Sequence, residues 1–353
     1  MADTAAQAPA PAPAPVEKSE VDAVDDNLAA PAQQPLPAVP ASPETAPAAK
    51  AEPNEKAEPA PEPNANGVAE PAGVASGPSW PELPPDHPLA KFVAELGAIL
   101  DEVGHDEMYG VKLDKSGPFH TKLVLQKFLR ANSNDLDKAK EQLRNSLKWR
   151  KEYNPLKAKD EVFSKEKFGG LGYVTVVEGV PDSGNAKDVI TYNNYGAVKD
   201  FKVTFGDLDA FIRWRVGLME LGLEKLDLAA AAAPIPDFGQ GKDPYQGIQV
   251  HDYHDVSFLR PDPLVKSSSK KAIETFQKYY PETLGRKFFV NVPVIMGWFY
   301  SAMKLVLAKE TVRKFTMLSY GNTLAAELGP NVPAAYGGKA EGLDKIGETL
   351  KVE

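Results

Sequence analysis

IQVHDYHDVSFL, residues 248–259, starts apolar and β-branched and carries His251 and Tyr253 two positions apart. Read as a strand, with side chains alternating between faces, it aims an imidazole and a phenol at one side of a sheet and Asp252 and His254 at the other. Its neighbours decide the fold. Upstream lie two short β-rich runs, YVTVVEG and DVITYNNYG, and then the long helical pattern FGDLDAFIRWRVGLMELGLEKLD. Downstream come a helical pattern ending in KYYPE, the run KFFVNVP and the very apolar stretch NVPVIMGWFYSAMKLVLAKE. Strands alternating with helices predict an α/β unit, a largely parallel sheet covered by helices. AAAAPIPDFGQGKDPYQG, just before the strand, reads as an insertion-like, mobile loop.

Ahead of this unit the pattern is helical only. TKLVLQKFLRANSNDLDKAKEQLRNSLKWRKEY predicts a helix from about Thr121 to Ala131, a break at NSND, and a second helix from about Asp135 to Tyr153 with Leu136, Ala139, Leu143 and Leu147 on one face. Periodicity begins near SWPELPPDHPLAKFVAELGAIL. Residues 1–79 hold sixteen of the thirty-two prolines and three Lys against twelve Asp and Glu, so they carry the whole net charge of −9. They lack the apolar surface that offsets chain ordering and are expected to be a disordered tail. The remainder is electrically neutral, which argues against nucleic acid as a partner. The chain has no cysteine, hence no disulfides and no thiolate ligands, in keeping with a reducing compartment. The N-terminus lacks the basic and apolar regions of a secretory signal, and no stretch reaches the ~18–20 apolar residues of a membrane span. The expected location is the cytoplasm, with any membrane contact peripheral.

No Gly-x-Ser-x-Gly elbow, phosphate loop or His-Glu-x-x-His zinc motif is present, so a catalytic role is not expected. The apolar stretch admits two readings. Ile295, Trp298, Phe299, Ala302, Met303 and Val306 follow one helix face, while Met296, Tyr300 and Leu305 make the other face apolar too. It is either a fully buried core helix or a gate that covers an apolar cavity and lies on a bilayer when open.

FLRAN with LDKAKEQLRNSLKWRKEY, then VHDYHDVS, KYYPETLGRKFFVNVP and ETVRKF, in that order over residues 90–346, resemble the CRAL-TRIO lipid-binding fold of fungal phosphatidylinositol transfer proteins. RWRVGLMELGL and VHDYHDVSFLR most resemble the unconventional, haem-binding branch of the Sec-fourteen homologues. The resemblance implies a small all-helical subdomain over residues 88–155 and an α/β lobe over 160–346, whose sheet floors a hydrophobic pocket closed by a gate helix. It implies binding and transfer of phosphatidylinositol at membrane surfaces in support of phosphoinositide homeostasis, with peripheral association to the endoplasmic reticulum or other membranes. It also implies ferric haem b in the same lobe. The alternative is a haem sensor or store with a role in oxidant stress and little lipid exchange.

On that resemblance Tyr253 is the iron ligand and His251 its neighbour at the metal, since a phenolate is a hard anionic donor suited to ferric iron. Read from the residues alone, a His and a Tyr with satisfied hydrogen bonds in a core are the commoner explanation of the pair. Arg215 falls in the buried stripe of Leu208, Phe211, Ile212, Met219 and Gly222, whereas Arg213 shares its face with Asp209 and Glu220. A buried arginine needs an anion, either a haem propionate or a structural carboxylate. Lys287, opening KFFVNV, is a second propionate partner or a strand-end lysine, and Tyr195 matches a family position lining the pocket. For the lipid, Glu282, Thr311 and Lys314 match positions that meet the phosphoinositol headgroup: a carboxylate for sugar hydroxyls, a hydroxyl and an ammonium for phosphate. One departure stands out, because FLRANS places Asn132 and Ser133 where the family motif has two cations.

Overall fold

The computed structural model describes residues 77–256, 262–293 and 314–353. All but the last three residues of the expected tail lie outside them, as do the expected gate helix over 295–308 and Thr311.

Helix α1 (Pro88–Val103) starts where the His87 ring accepts the Leu89 amide and Pro88 presets the first turn, and it ends at left-handed Gly104. Its buried stripe, Leu89, Phe92, Leu96 and Ile99, recurs every three to four residues, each side chain contributing about 1.5–3 kcal/mol of burial. A hairpin, β1 (Glu107–Met108) and β2 (Val111–Lys112), follows before α2 (Phe119–Ala131) and α3 (Leu136–Tyr153). Helical periodicity gave no sign of this hairpin. Its strands are two residues long, and it forms because Tyr109 and Gly110 both adopt positive φ, the requirement of a tight primed turn. Asp135 caps α3 by accepting the Lys138 amide.

The lobe then runs through α4 (Pro155–Asp160), β3 (Val162–Phe163), α5 (Lys165–Phe168), β4 (Gly172–Val177), β5 (Asp188–Asn194), α6 (Phe201–Phe205), α7 (Leu208–Leu226), β6 (Gly247–Asp252), α8 (Pro263–Tyr279), β7 (Leu284–Val290), β8 (Phe315–Leu318) and β9 (Lys351–Val352). The five-stranded sheet has the order β4-β5-β6-β7-β8. Only β4 is antiparallel to its neighbour; β5, β6, β7 and β8 pair in parallel, as alternation of strand and helix predicts. β3 pairs in parallel with β9 at the C-terminus. One sheet face, with Ile190, Tyr192, Ile248, Val250, Phe288 and Val290, packs on Leu324, Leu328, Val332 and Tyr336. Helix α7 lies against β4 and β5 on the other face. A Cβ on Gly172 would come within 2.6 Å of Leu218, so only glycine admits this approach.

Stacked rings and a buried ion network join the helical part to the lobe. Trp149 of α3 stacks between Tyr153 at 4.7 Å and Tyr279 at 4.4 Å. Next to it, Arg150 donates to Glu220 of α7 at 2.7 Å and to Glu107 of β1 at 2.8 Å, and the Tyr280 hydroxyl donates to Glu220 at 2.6 Å. The reading that set Glu220 on an outer face of α7 is corrected: it is buried, because Arg150 reaches across to neutralise it. Arg213, on that outer face, pairs with Glu161 at 2.7 Å. The expected mobile loop over 230–247 is likewise fastened. Gln126 donates to Asp237, Lys127 to Asp243 and the Tyr245 carbonyl, and Arg130 to the carbonyls of Pro236, Asp237 and Gly241.

Candidate binding sites on the sheet face and beside Glu282

The sheet face that α7 lies against is built by strand register. Asn193 stands opposite His251, His251 opposite Phe289 and Phe289 opposite Met317, while Gln249, Lys287 and Phe315 form the next row. Strand β6 ends at Asp252, but the Tyr253 amide still donates to the Val290 carbonyl, so the alternation carries one residue further. His251 and Tyr253 therefore share a face. Tyr195, in the turn after β5, brings its ring to 5.4 Å from His251 and 5.6 Å from Tyr253, and Phe289 lies 5.5 Å from His251. Asp252 points the other way, accepting from Tyr336 and Asn291.

Among the described residues the charges on this face have no carboxylate counter-ion. Arg215, buried on α7, donates to the Asn193 side-chain oxygen, and its Nε has no hydrogen-bond partner. Among the described residues no carboxylate lies within ion-pair distance of Arg215 or Lys287. The structural carboxylate considered as one partner for Arg215 is thus not found there; an amide serves instead. Lys287 sits over the rings of Phe289 and Phe315, at 5.2 and 5.5 Å. Burial, and next the Arg215 charge, hold its ammonium down to about 7. Burial, then Lys287, then Arg215 hold His251 well below the ordinary histidine range, so its ring is neutral, and its Nε2 is buried without a partner. Burial, followed by the Tyr195 phenol, pushes Tyr253 far above the ordinary phenol range, with Arg215 opposing. All five residues picked from the sequence, Tyr195, Arg215, His251, Tyr253 and Lys287, meet on one surface. Asn193, Phe289 and Phe315 complete it. They were not singled out because an asparagine in a strand and two phenylalanines carry no signal of their own before the register is known.

A second cluster surrounds Glu282, which turns the chain between α8 and β7 with φ at 53°. Its carboxylate accepts from Gln246 at 2.6 Å and lies 3.6 Å from Lys314 and 3.7 Å from Arg130, while Lys314 also donates to the Leu284 carbonyl at 2.7 Å. Glu282 and Lys314 are thereby brought together; Thr311 lies outside the described residues. Arg130 was missed. Its signal was present, for Gln126, Lys127 and Arg130 form a polar stripe at helical spacing on an otherwise buried α2. Asn132, in place of a family cation, donates to the Phe128 carbonyl and to Gln142 at the end of α2 and takes no part in the cluster.

A mixed sheet of this order, one face packed on the C-terminal segments and the other carrying rings and, among the described residues, two cations with no carboxylate in ion-pair range, defines an α/β lobe. Residues 174–338 match the CRAL/TRIO domain, and the chain belongs to the CRAL/TRIO family. It is 61% identical over 278 residues to the phosphatidylinositol transfer protein SFH5 of Phaeosphaeria nodorum, covering 79% of this chain and 84% of that one. Against the protein of the same name in Cryptococcus neoformans it is 48% identical over 287 residues, covering 79% and 95%. Its match to the sfh5 protein of Sclerotinia sclerotiorum is 52% over 269 residues and spans 64% of that longer chain. A crystal structure of Sfh5 superposes with a TM-score of 0.63 at 33% identity, over 74% of this chain and 90% of that chain. Among the described residues no helix is long and apolar enough to cross a membrane, and no group of three or more His, Asp or Glu is placed to hold a metal ion.

Proposed function

We propose that this protein binds phosphatidylinositol and transfers it between membrane surfaces, acting peripherally from the cytoplasmic side and without catalysis of its own. The observation that carries this reading is the meeting of Glu282 and Lys314, a carboxylate suited to inositol hydroxyls 3.6 Å from an ammonium suited to phosphate. The similarity to proteins named phosphatidylinositol transfer proteins supports the same reading.

The same lobe is also proposed to bind ferric haem b. Its sheet face supports this reading: among the described residues it has two cations with no carboxylate in ion-pair range, suited to propionates, rings suited to a flat macrocycle, and a neutral buried His251 whose Nε2 has no hydrogen-bond partner. Tyr253 would ligate the iron, His251 would hold or approach it from the same face, Arg215 and Lys287 would take the propionates, and Tyr195 would line the ring. When bound, the group supplies a ferric centre; the chain's own residues orient it and exclude water. A haem store with little lipid exchange is the second reading, favoured by this excess of unpaired cations. Both are tested on the purified protein. Stoichiometric phosphatidylinositol in the organic extract and a ferric-haem absorption spectrum are expected. A coloured protein that exchanges no lipid selects the second reading, and a colourless protein without phospholipid contradicts both.

A further inference from the structure

We propose that Arg130 is a specificity-determining residue of the site at Glu282. Its charge, standing beside Lys314, selects a phosphodiester whose head is an uncharged polyol over one whose head is a quaternary ammonium. The inference rests on the reading of Glu282 and Lys314 as the headgroup site.

Arg130 is held by backbone carbonyls. Its Nη1 donates to the carbonyls of Pro236 and Asp237 at 2.7 and 3.0 Å, and its Nη2 to the carbonyl of Gly241 at 3.0 Å. Three neutral acceptors fix the guanidinium plane without neutralising its charge. The third nitrogen, Nε, has no hydrogen-bond partner among the described residues although the side chain is only 10% exposed, and the carboxylate facing it is Glu282, 3.7 Å away.

Glu282 cannot satisfy everything around it. One oxygen already accepts from Gln246 at 2.6 Å, and the other faces Lys314 at 3.6 Å. Charge-assisted hydrogen bonds close to about 2.7–2.9 Å, so neither cation has closed on the carboxylate. Lys127, the third cation here, is already matched by Asp243 at 2.6 Å. Among the described residues, then, Glu282 is the only carboxylate within ion-pair distance of either Arg130 or Lys314, all three side chains are largely buried, and two cations share one anion, leaving one positive charge in excess. One added monoanion balances it. A phosphodiester between Arg130 and Lys314 is that anion, and it leaves the Glu282 carboxylate to accept from hydroxyls. A quaternary ammonium on the same phosphate would set a third positive charge against these two, the repulsive element that discrimination needs.

The test separates charge from fastening. A lysine at 130 keeps the charge but not the planar fork whose two nitrogens reach three carbonyls, whereas glutamine loses both. In the full chain, transfer of phosphatidylinositol and of phosphatidylcholine from vesicles is measured separately and expressed as a ratio. Arg130→Gln is expected to lower that ratio about tenfold or more, the loss of one charge-assisted contact, and Arg130→Lys to keep most of it. An unchanged ratio in Arg130→Gln overturns the inference. So does an equal loss in Arg130→Lys, which would assign Arg130 to holding the loop alone. If Arg130→Gln does not fold, Arg130→Lys still decides by keeping or losing the ratio. Lys314→Ala is run beside them: unchanged phosphatidylinositol transfer there means the headgroup site itself is misplaced, a failure distinct from that of Arg130. Soluble inositol phosphate should leave the ratio unaltered; displacement of the lipid by it would show that the selected anion is a free one and would overturn the inference.

Discussion

Asn193 stands directly opposite His251 in the parallel pairing of β5 and β6, and its side-chain oxygen takes the hydrogen bond from Arg215 Nη1. An uncharged group thus anchors a buried cation above the row that carries the imidazole, and the cation's charge remains available. Asn193→Asp, nearly isosteric, supplies the missing anion from within. It is expected to leave the fold stable and to weaken haem binding by about 1.5–3 kcal/mol, as Arg215 turns to the new carboxylate. Haem titration followed by absorbance measures this, and undiminished affinity would show that Arg215 does not serve the propionates.

Tyr253→Phe keeps ring volume and the contact with Tyr195 while removing only the oxygen. Haem content should fall sharply while the fold stays intact. Full haem occupancy in this variant rules out the phenol as the iron ligand.

The third prediction concerns pH. Burial and Arg215 lower Lys287 from the ordinary 10.5 to about 7, so between these values the unfolded chain holds a proton that the folded chain does not. Stability of the haem-free protein therefore gains with pH across about 7 to 10.5, and the deficit is full below 7. Comparing urea unfolding of wild type and Lys287→Met at several pH values isolates this contribution: the difference should rise through that window. A flat difference would mean the ammonium is well solvated. His251, also depressed, acts lower down, with stability falling as pH drops below the ordinary histidine value of 6.5.

Much of this was legible in the sequence because it depends on short-range rules. Alternation placed His251 and Tyr253 on one face, and helical spacing put Arg215 in the buried stripe of α7, as the structure has them. What was not legible depends on partners distant in the chain. Glu220 is buried because Arg150, seventy positions earlier, meets it, and the loop over 230–247 is fastened in large part because α2 presents Gln126, Lys127 and Arg130 to its Asp237 and Asp243 carboxylates and its carbonyls. Spacing within a segment carries no information about such pairings. The two-residue strands β1 and β2 were invisible for a different reason, being too short to show a period.

The ion network joining α3 to α7 gives a stability prediction. Arg150→Met removes the cation and leaves Glu220 buried with only the Tyr280 hydroxyl, which should cost about 3–5 kcal/mol. Urea denaturation of the variant checks it. A cost under about 1 kcal/mol, the range of an exposed pair, would show that water reaches Glu220.

The central claim is that the cluster at Glu282 holds the head of phosphatidylinositol during transfer, and the most direct measurement is movement of that lipid between vesicles by wild type, Lys314→Ala and the Glu282→Ala, Lys314→Ala double variant. Loss of the charge-assisted contact should weaken Lys314→Ala by about 1.5–3 kcal/mol, and the double variant should transfer less still while unfolding at a comparable midpoint. Transfer by the double variant at the wild-type rate would contradict the account.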